Sequence, residues 1–555
     1  MKSVNGIIRY GDKSDLHFAT WNDKFPKEKV CYEDDDYLIH FDGVILNSVE
    51  LKKSLRCSDN QSILLQLYKA YGPELVMHVK GMYALVLWDK QAQTLVITND
   101  LLSKRPLYYF CAEHGIYYAS SYYDLLDILS AEKIFPAFDM NAFRSMIQEG
   151  SVNGSLTYLQ QVFYLNAFES LAVDLKESAV RCIRHQMKSF DLPATEEASI
   201  DRFEELFSTA VKLQFQKNAE YGYTQCAALS GGMDSRSCLL TAHKLGLTKE
   251  LVCFNYAQSG SLDFTVSRQI AIDHGFDYLH YPMDAAVFLS RMDEAMCCNE
   301  CMQDGVGATG ARTMINLMNT SNFGLISAGI CGGELMGDLV RTTWQKVPAS
   351  RLSRMINLVS EKIRTQSVSE EIKAEDYFFD TDSLFNHMRL CKNSSQMFAD
   401  KCESVSPFMD EDVVMFILQV NPGFLFHRKM YRKWMNKYLP NPYILTSTCT
   451  PVNSSLLQEI FAKLKYEVQA RFRGISAREM NPIDRWLETL PHHAISCTHQ
   501  YEKTCQWLRK MDDTEEILSE AASGWEGNWS QRLFVLTALH AARDVFSRFT
   551  KSADK

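Results

Sequence analysis

Six consecutive residues, Ser230-Gly231-Gly232-Met233-Asp234-Ser235, combine types suited to holding an anion together with a cation. Two glycines let the backbone wrap closely around a phosphate, because no Cβ stands in the way. The hydroxyls of Ser230 and Ser235 add donors, and a carboxylate such as Asp234 helps bind a polyphosphate only by holding a cation, here Mg2+. The competing reading is a tight strand-to-helix turn whose glycines serve packing alone. A Ser-Gly-Gly-x-Asp-Ser pattern arises by chance in roughly one of a few thousand chains of this length.

The flanking elements must aim this loop. A short apolar run, Cys226 to Leu229, precedes it, and helical spacing from Ser235 to Leu245 with Gly246 as a stop follows. That context puts backbone N–H groups and a helix N-terminus at one point. A strand from Leu251 to Tyr256, a helix from Asp263 to His274 and a strand from Tyr278 to Tyr281 come next. Such alternation predicts a parallel sheet covered by helices, with ligands outside the carboxyl ends of its strands. Upstream, Tyr37 to Phe41, Val44 to Leu46 and Tyr83 to Trp88 read as strands and Ser62 to Tyr71 as a helix, an α+β pattern. The polar tract from Lys188 to Ser199 reads as a linker, dividing 1–190 from 200–555. From Ala349 onward helical patterns dominate, and the final helix, Trp529 to Phe549, is expected to pack on the body of its own domain.

At 555 residues, 46% hydrophobic and 23% charged, the chain reads as an ordinary globular protein and not as a disordered one. Its net charge of -10, from 58 Lys and Arg against 68 Asp and Glu, supplies no footprint for a nucleic-acid backbone or an anionic membrane. No apolar run approaches the roughly 20 residues of a membrane span and no signal peptide opens the chain, so the cytoplasm is the expected location. The sixteen cysteines are then expected as reduced thiols, unpaired in disulfides. Cys297, Cys298 and Cys301 are read as structural, because no second pair at zinc-ligand spacing follows them closely.

The glycine loop in this context resembles that of the pyrophosphate-loop enzymes that activate a carboxylate as an acyl-adenylate, in particular the asparagine synthetase family. The resemblance extends over almost the whole chain: Phe254-Asn255-Tyr256-Ala257, the acidic-headed helix from Asp263, Pro407-Phe408-Met409-Asp410 and the basic stretch from His427 to Pro440 resemble family segments. It implies an α/β and α+β fold, with an N-terminal Ntn-hydrolase-like αββα domain. A C-terminal adenine nucleotide α-hydrolase-like parallel-sheet domain with a helical end follows. It also implies that Leu229, Tyr256, Ala328 and Gly329 line ATP and that Lys429, with Arg428 or Arg432 as substitutes, stabilises departing pyrophosphate. Asp410 is held to the role of a helix N-cap.

Two family positions depart. Aligning Ala328-Gly329-Ile330-Cys331-Gly332-Gly333-Glu334-Leu335-Met336-Gly337-Asp338 from Glu334 and Gly337 puts Ile330 where the family has a substrate-facing glutamate. It puts Gly333 at the second metal-binding aspartate. Asp234 with Glu334 or Asp338 is left to hold Mg2+, which keeps several waters and needs few carboxylates. The first domain resembles the family's glutaminase half in Phe41 to Asn47, Gly81 to Ala84, Asn99-Asp100 and Arg105 to Tyr109. That half normally opens with a cysteine nucleophile; here Lys2 follows Met1, and Asn5-Gly6-Ile7 resembles the opening segment displaced inward. Asp42-Gly43-Val44 stands for the family's oxyanion turn, where a carboxylate would repel the oxyanion, and only Asp59 is left for glutamine.

The reading is therefore an ATP- and Mg2+-dependent, AMP- and pyrophosphate-forming ligase similar to the β-lactam synthetase and lasso peptide cyclase relatives. It joins a small-molecule or peptide carboxylate to an amine without hydrolysing glutamine. A homodimer is admitted but not specified. The alternatives are an asparagine synthetase and a nucleotide-binding scaffold with impaired chemistry. The glycine-rich segment from Asp304 to Arg312 is read as a substrate loop or a plain connection.

Overall fold

A computed structural model of the chain describes residues 3–11, 14–305, 309–342, 377–439, 461, 464, 468, 486–488 and 491–553. Residues 1–2, 306–308 of the glycine-rich segment, 349 and Pro440 lie outside the described residues.

The first lobe is built on two antiparallel sheets. One has the order Ala179–Arg184, Glu169–Asp174, Thr94–Asn99, Gly81–Asp89, Tyr37–Ile45, Val30–Glu33. The other runs Asp15–His17, Asn5–Arg9, Gly115–Ala119, Tyr108–Ala112, Val162–Tyr164. Successive strand side chains point to opposite faces, so Ala84, Val86 and Ile97 meet Ile8, Ile116 and Tyr118 between the sheets. Tyr83, Leu85 and Leu87 face the helix Asn60–Tyr71 and its Ile63, Leu64 and Leu67. Burial on both faces explains the unbroken apolar text of Gly81–Asp89. The helices Tyr122–Ala131 and Met140–Glu149 cover the outer face of the second sheet through Tyr122, Leu125, Phe143 and Met146, completing four layers, αββα.

The second lobe holds a five-stranded parallel sheet, ordered Asp277–His280, Val252–Asn255, Thr224–Ala228, Phe323–Ser327, Glu403–Val405. Strand order reverses between Thr224–Ala228 and Phe323–Ser327, which opens a crevice at their carboxyl ends. Thr195 caps the 25-residue helix Glu196–Glu220 by accepting from Ala198 N at 3.2 Å, so Glu196 to Ser199, read as the end of the linker, are helical. Glu403–Val405 is too short and too polar to be legible as a strand in the sequence. Among the described residues no helix is long and apolar enough to cross a membrane.

The final helix, Trp529–Ala553, packs as expected on the helices Pro491–Leu508 and Glu515–Trp525 of its own domain, and it also docks on the first lobe. There Tyr123 Oη donates to Asp544 Oδ2 at 2.9 Å, Ser130 Oγ donates to Arg548 O at 2.9 Å and Phe138 stacks on Phe546. Its apolar side also reaches Met296 of the second lobe through Thr537. Ion pairs join the lobes elsewhere. Lys80 reaches Asp410 and Asp412 at 2.9 and 2.7 Å, Lys104 reaches Glu411 at 2.6 Å and Arg105 reaches Glu403 at 2.7 Å. Asp410 also caps Glu411–Gln419 by accepting from Asp412 N and Val413 N.

The most enclosed pair is Lys217 with Glu28, 2.8 Å apart and 1% and 0% exposed. Lys217 Nζ also donates to Ser48 Oγ, and Glu28 accepts from Asn60, Tyr221 and the backbone of Ile45. Removing one member of a buried, hydrogen-bonded pair strands the other charge. Lys217→Met should therefore lower unfolding free energy by about 3–5 kcal/mol in denaturant titrations. The double variant with Glu28→Leu should lose less.

Candidate active site

The loop at 230–232 leaves the strand Thr224–Ala228 at the crevice. Leu229 N donates to Phe254 O at 3.0 Å and Asn255 Nδ2 donates to Leu229 O at 2.9 Å, fixing the loop's base to the neighbouring strand. Within the loop, Ser230 N donates to Ser235 Oγ at 3.0 Å, the two serine hydroxyls lie 2.8 Å apart and Gly232 N donates to Ser230 Oγ at 3.1 Å. Gly231 passes so near Asp263 that a Cβ would stand 2.8 Å from its Cα, and its backbone works against the rise that burial imposes on the Asp263 carboxyl. The helix Met233–Lys244 follows with Gly232 as an N-cap that lends no side-chain bond. Its first N–H groups thus need acceptors from outside the helix.

The second wall is the segment after Phe323–Ser327. A Cβ on Gly329 would come within 2.3 Å of Ser235 N, and one on Gly332 within 2.5 Å of Asp234 Cγ. These two glycines let the second wall lie directly on the start of the helix. Ala328 N donates to Val405 O at 2.9 Å, and Ser406 Oγ donates to Ile330 O at 2.7 Å. The half-buried Ile330 side chain packs on the main core. Tyr256 is held beneath Gly310, where a Cβ would strike its ring, and burial pushes its hydroxyl up to about 12.

Asp234 sits between the walls. Tyr431 Oη donates to its Oδ1 at 3.0 Å and Gly333 N donates to its Oδ2 at 3.1 Å. Burial pushes its carboxyl up to about 6; the Arg428 guanidinium works against that rise, while Glu334 and Asp338 add to it. Glu334 and Asp338 thus lie in electrostatic range of Asp234, and Asp338 is paired with Arg428.

Of the basic residues named for pyrophosphate, Arg428 stands near Asp234, whereas Lys429 pairs with Glu196. On the helix Lys429–Tyr438, Lys429, Lys433 and Lys437 stand four apart on one stripe. Lys429 and Lys433 pair with Glu196 at 3.1 and 2.7 Å, and Lys437 pairs with Asp201 at 2.6 Å. Tyr431, about 200° round the helix from Lys429, faces Asp234. Arg428 precedes that helix with a left-handed φ of 59°, following His427 at 55°. Its Nε donates to Asp338 Oδ1 at 2.6 Å. A Cβ on Gly333 would stand 2.5 Å from Arg428 Nη2 and 2.8 Å from Asp338 Oδ2, so this glycine makes room for the pair. Ser230, Gly231, Gly232, Asp234 and Ser235 are thus brought against Gly329 and Gly333, with Glu334 in electrostatic range. Sequence reasoning missed Tyr431, whose only signal is its place among the buried Met430, Trp434 and Met435 on a basic helix.

In the first lobe, Asp59 serves as the N-cap of Asn60–Tyr71, accepting from Ser62 N at 2.8 Å. Ser58 Oγ also donates to it at 3.0 Å, so this carboxylate has a local helix-capping role. Asp42 is enclosed, 3.4 Å from Lys29 Nζ, and accepts from Trp21 N at 3.3 Å. Burial raises its carboxyl pKa, against the pull of Arg105 and Lys29.

A two-sheet αββα lobe joined to a parallel-sheet lobe with a glycine loop at its switch point defines a two-domain amidotransferase–ligase architecture. Family models agree in both halves: one described as a glutamine amidotransferase domain matches residues 26–184 and one described as asparagine synthase matches residues 202–447. The chain belongs to the asparagine synthetase family. It is 24% identical over 260 residues to a Methanocaldococcus jannaschii protein provisionally named asparagine synthetase (glutamine-hydrolyzing) 2, covering 45% of this chain and 49% of that relative. A second protein of that organism, provisionally named asparagine synthetase (glutamine-hydrolyzing) 1, is 22% identical over 420 residues, 72% of this chain and 67% of the relative. The chain thus spans about half the length of the first relative. Among solved structures, a glutamine phosphoribosylpyrophosphate amidotransferase from B. subtilis, complexed with ADP and GMP, aligns over 50% of this chain and 74% of its own. Its identity is 12% and its TM-score 0.23, too low to carry an argument.

The contact at Gly329 is directly testable. Gly329→Ala should cost about 1–3 kcal/mol of stability, as overpacking does, in chemical denaturation. It should also shift the start of Met233–Lys244, read as faster amide hydrogen exchange over residues 233–236.

Proposed function

We propose that the chain is an ATP- and Mg2+-dependent ligase that forms an amide without hydrolysing glutamine. A substrate carboxylate oxygen attacks the α-phosphorus and pyrophosphate leaves. An amine nitrogen then attacks the acyl carbon, AMP departs with the electrons of the broken C–O bond, and the nitrogen loses a proton. The observation that carries this reading is Asp234, a carboxylate raised to about 6 where a glycine loop, a helix N-terminus and the Arg428 guanidinium meet.

Each role follows from the residues. The uncapped N–H groups at the start of Met233–Lys244, with the Ser230 and Ser235 hydroxyls, suit the β- and γ-phosphates. Leu229, Ala328 and Gly329 line the nucleotide, and Tyr256 forms the floor behind Gly310. Asp234 and Glu334 would hold Mg2+, which supplies charge neutralisation on the phosphates. Arg428 would stabilise the charge that builds on departing pyrophosphate. Asp338 lies where a side chain at Gly333 would reach, so its carboxylate can stand for the metal-binding aspartate that the family has there, with Arg428 balancing part of its charge. Apolar Ile330 removes a carboxylate that would bind an amino group or relay a proton, which favours an acceptor amine of another kind than ammonia. Both substrates are small molecules or peptides. Enclosed Asp42, beside Lys29, supports the loss of glutamine hydrolysis because an acceptor stands where an oxyanion needs a donor.

The rival reading is a nucleotide-binding scaffold, favoured by the Arg428–Asp338 pair that occupies one carboxylate of the metal set. Exchange of radiolabelled pyrophosphate into ATP separates the two. With a panel of carboxylic acids and peptides, at least one should drive exchange. Asp234→Ala should bring that exchange to background with its melting curve retained; full exchange in the variant would remove the metal assignment. Because Asp234 must be ionised to hold the cation, the apparent Mg2+ affinity should be flat above pH about 6 and fall roughly tenfold per pH unit below it. Purified protein given glutamine should release no glutamate above background; release would overturn the reading of the first lobe.

A further inference from the structure

A second cluster of chemically able side chains lies outside the crevice, where the final helix meets the first lobe. Cys297 is the penultimate residue of the helix Ala285–Cys298, and Cys301 follows in a turn whose Glu300 and Cys301 both have a left-handed φ of 57°. Opposite them, His540 and Asp544 stand four apart on one face of Trp529–Ala553. One ligand atom each from Cys301, His540 and Asp544 lies within 4.8 Å of the others. Cys297 Sγ is 3.5 Å from His540 Nε2, and His540 Nε2 is 3.7 Å from Asp544 Oδ2.

We propose that Cys301, His540 and Asp544, joined by Cys297 from its place beside His540, form a structural zinc site that clips the final helix to the 299–302 turn. Two thiolates, an imidazole and a carboxylate are a tetrahedral zinc donor set. With Zn–S near 2.3 Å and Zn–N near 2.0–2.1 Å, the sulfur-to-nitrogen edge of such a tetrahedron is roughly 3.5 Å, the separation of Cys297 from His540. Binding releases the two thiol protons and leaves a net charge of about -1 on the loaded site. Arg543 Nη2, 3.3 Å from His540 Nδ1, and Arg548 Nη1, 3.9 Å from Asp544 Oδ2, are placed to balance it. Tyr123 of the first lobe donates to Asp544 Oδ2 at 2.9 Å and lies 3.6 Å from Cys301 Sγ, an outer contact that orients two ligands at once. His540 is only 8% exposed whereas Cys297 is open to solvent, which provides an entry path.

The same residues do not form a nucleophilic relay. In such a relay the carboxylate holds the imidazole nitrogen opposite the one that faces the thiol. Here Asp544 and Cys297 both approach Nε2.

Elemental analysis of the full chain, purified without chelator, should find about one zinc per chain. Titration of metal-free protein with Co2+ should give the ligand-field and thiolate charge-transfer absorption of a tetrahedral site. Cys301→Ser and His540→Ala should lose the stoichiometric metal. Cys298→Ser, whose thiol lies toward Arg312, should keep it, and Tyr123→Phe should weaken zinc affinity about 10- to 100-fold. Because the cobalt titration uses the unaltered chain, it decides the matter even if a variant fails to fold. No tetrahedral cobalt spectrum, a disulfide between Cys297 and Cys301 in freshly purified protein, or undiminished zinc in both ligand variants would overturn the assignment.

Discussion

The crevice depends on backbone meeting backbone. Gly329 and Gly332 bring the segment after one central strand onto the first turn of the helix after the other, at separations no Cβ would tolerate. That contact sets Asp234 between the Gly333 N–H and the Tyr431 hydroxyl. The Gly333 bond could not form if the walls stood a side chain apart. The reversal of strand order supplies the crevice; the glycines decide how narrow it is.

Charge is arranged around that contact in two different ways. In the crevice, Asp234, Glu334 and Asp338 share one near guanidinium, and burial first, then the two neighbouring acids, raises the carboxyl of Asp234. Between the lobes, acids and bases are matched: Lys217 with Glu28, Arg105 with Glu403, and Lys80 and Lys104 with the acids at the start of Glu411–Gln419. Matched buried pairs hold the lobes in one relative placement, because sliding either lobe would leave charges without partners. The contrast separates the part of the molecule that is built to stay from the part that is built to bind.

The departures from the family pattern fit together sterically. Gly333 carries no side chain, and the space beside it is taken by Asp338 and Arg428. Arg428 is put there by two successive left-handed residues before Lys429–Tyr438, a backbone conformation that costs energy for residues with side chains. Lys429, one residue on, falls on the solvent-side stripe of the same helix and answers Glu196. A shift of one residue in a helix turns a side chain by about 100°, which is why a basic cluster in the sequence does not say which of its members faces the site.

Local chemistry was legible in the sequence. The glycine loop, the alternation of strand and helix around it, the helix stops at Gly246 and Gly275 and the cap at Asp410 all rest on residues within a few positions of one another, where chain geometry ties type to conformation. Element starts were read late where caps such as Asp59 and Thr195 precede the first apolar residue. The tertiary structure alone decided that Arg428 and Tyr431 approach Asp234 across nearly 200 residues, that the final helix crosses to the first lobe, and that Cys297 and Cys301 meet His540 and Asp544. A pair of cysteines carries no mark of a partner some 240 positions downstream. Such encounters are set by how apolar faces dock, and many dockings suit the same apolar stripe until the whole chain is packed.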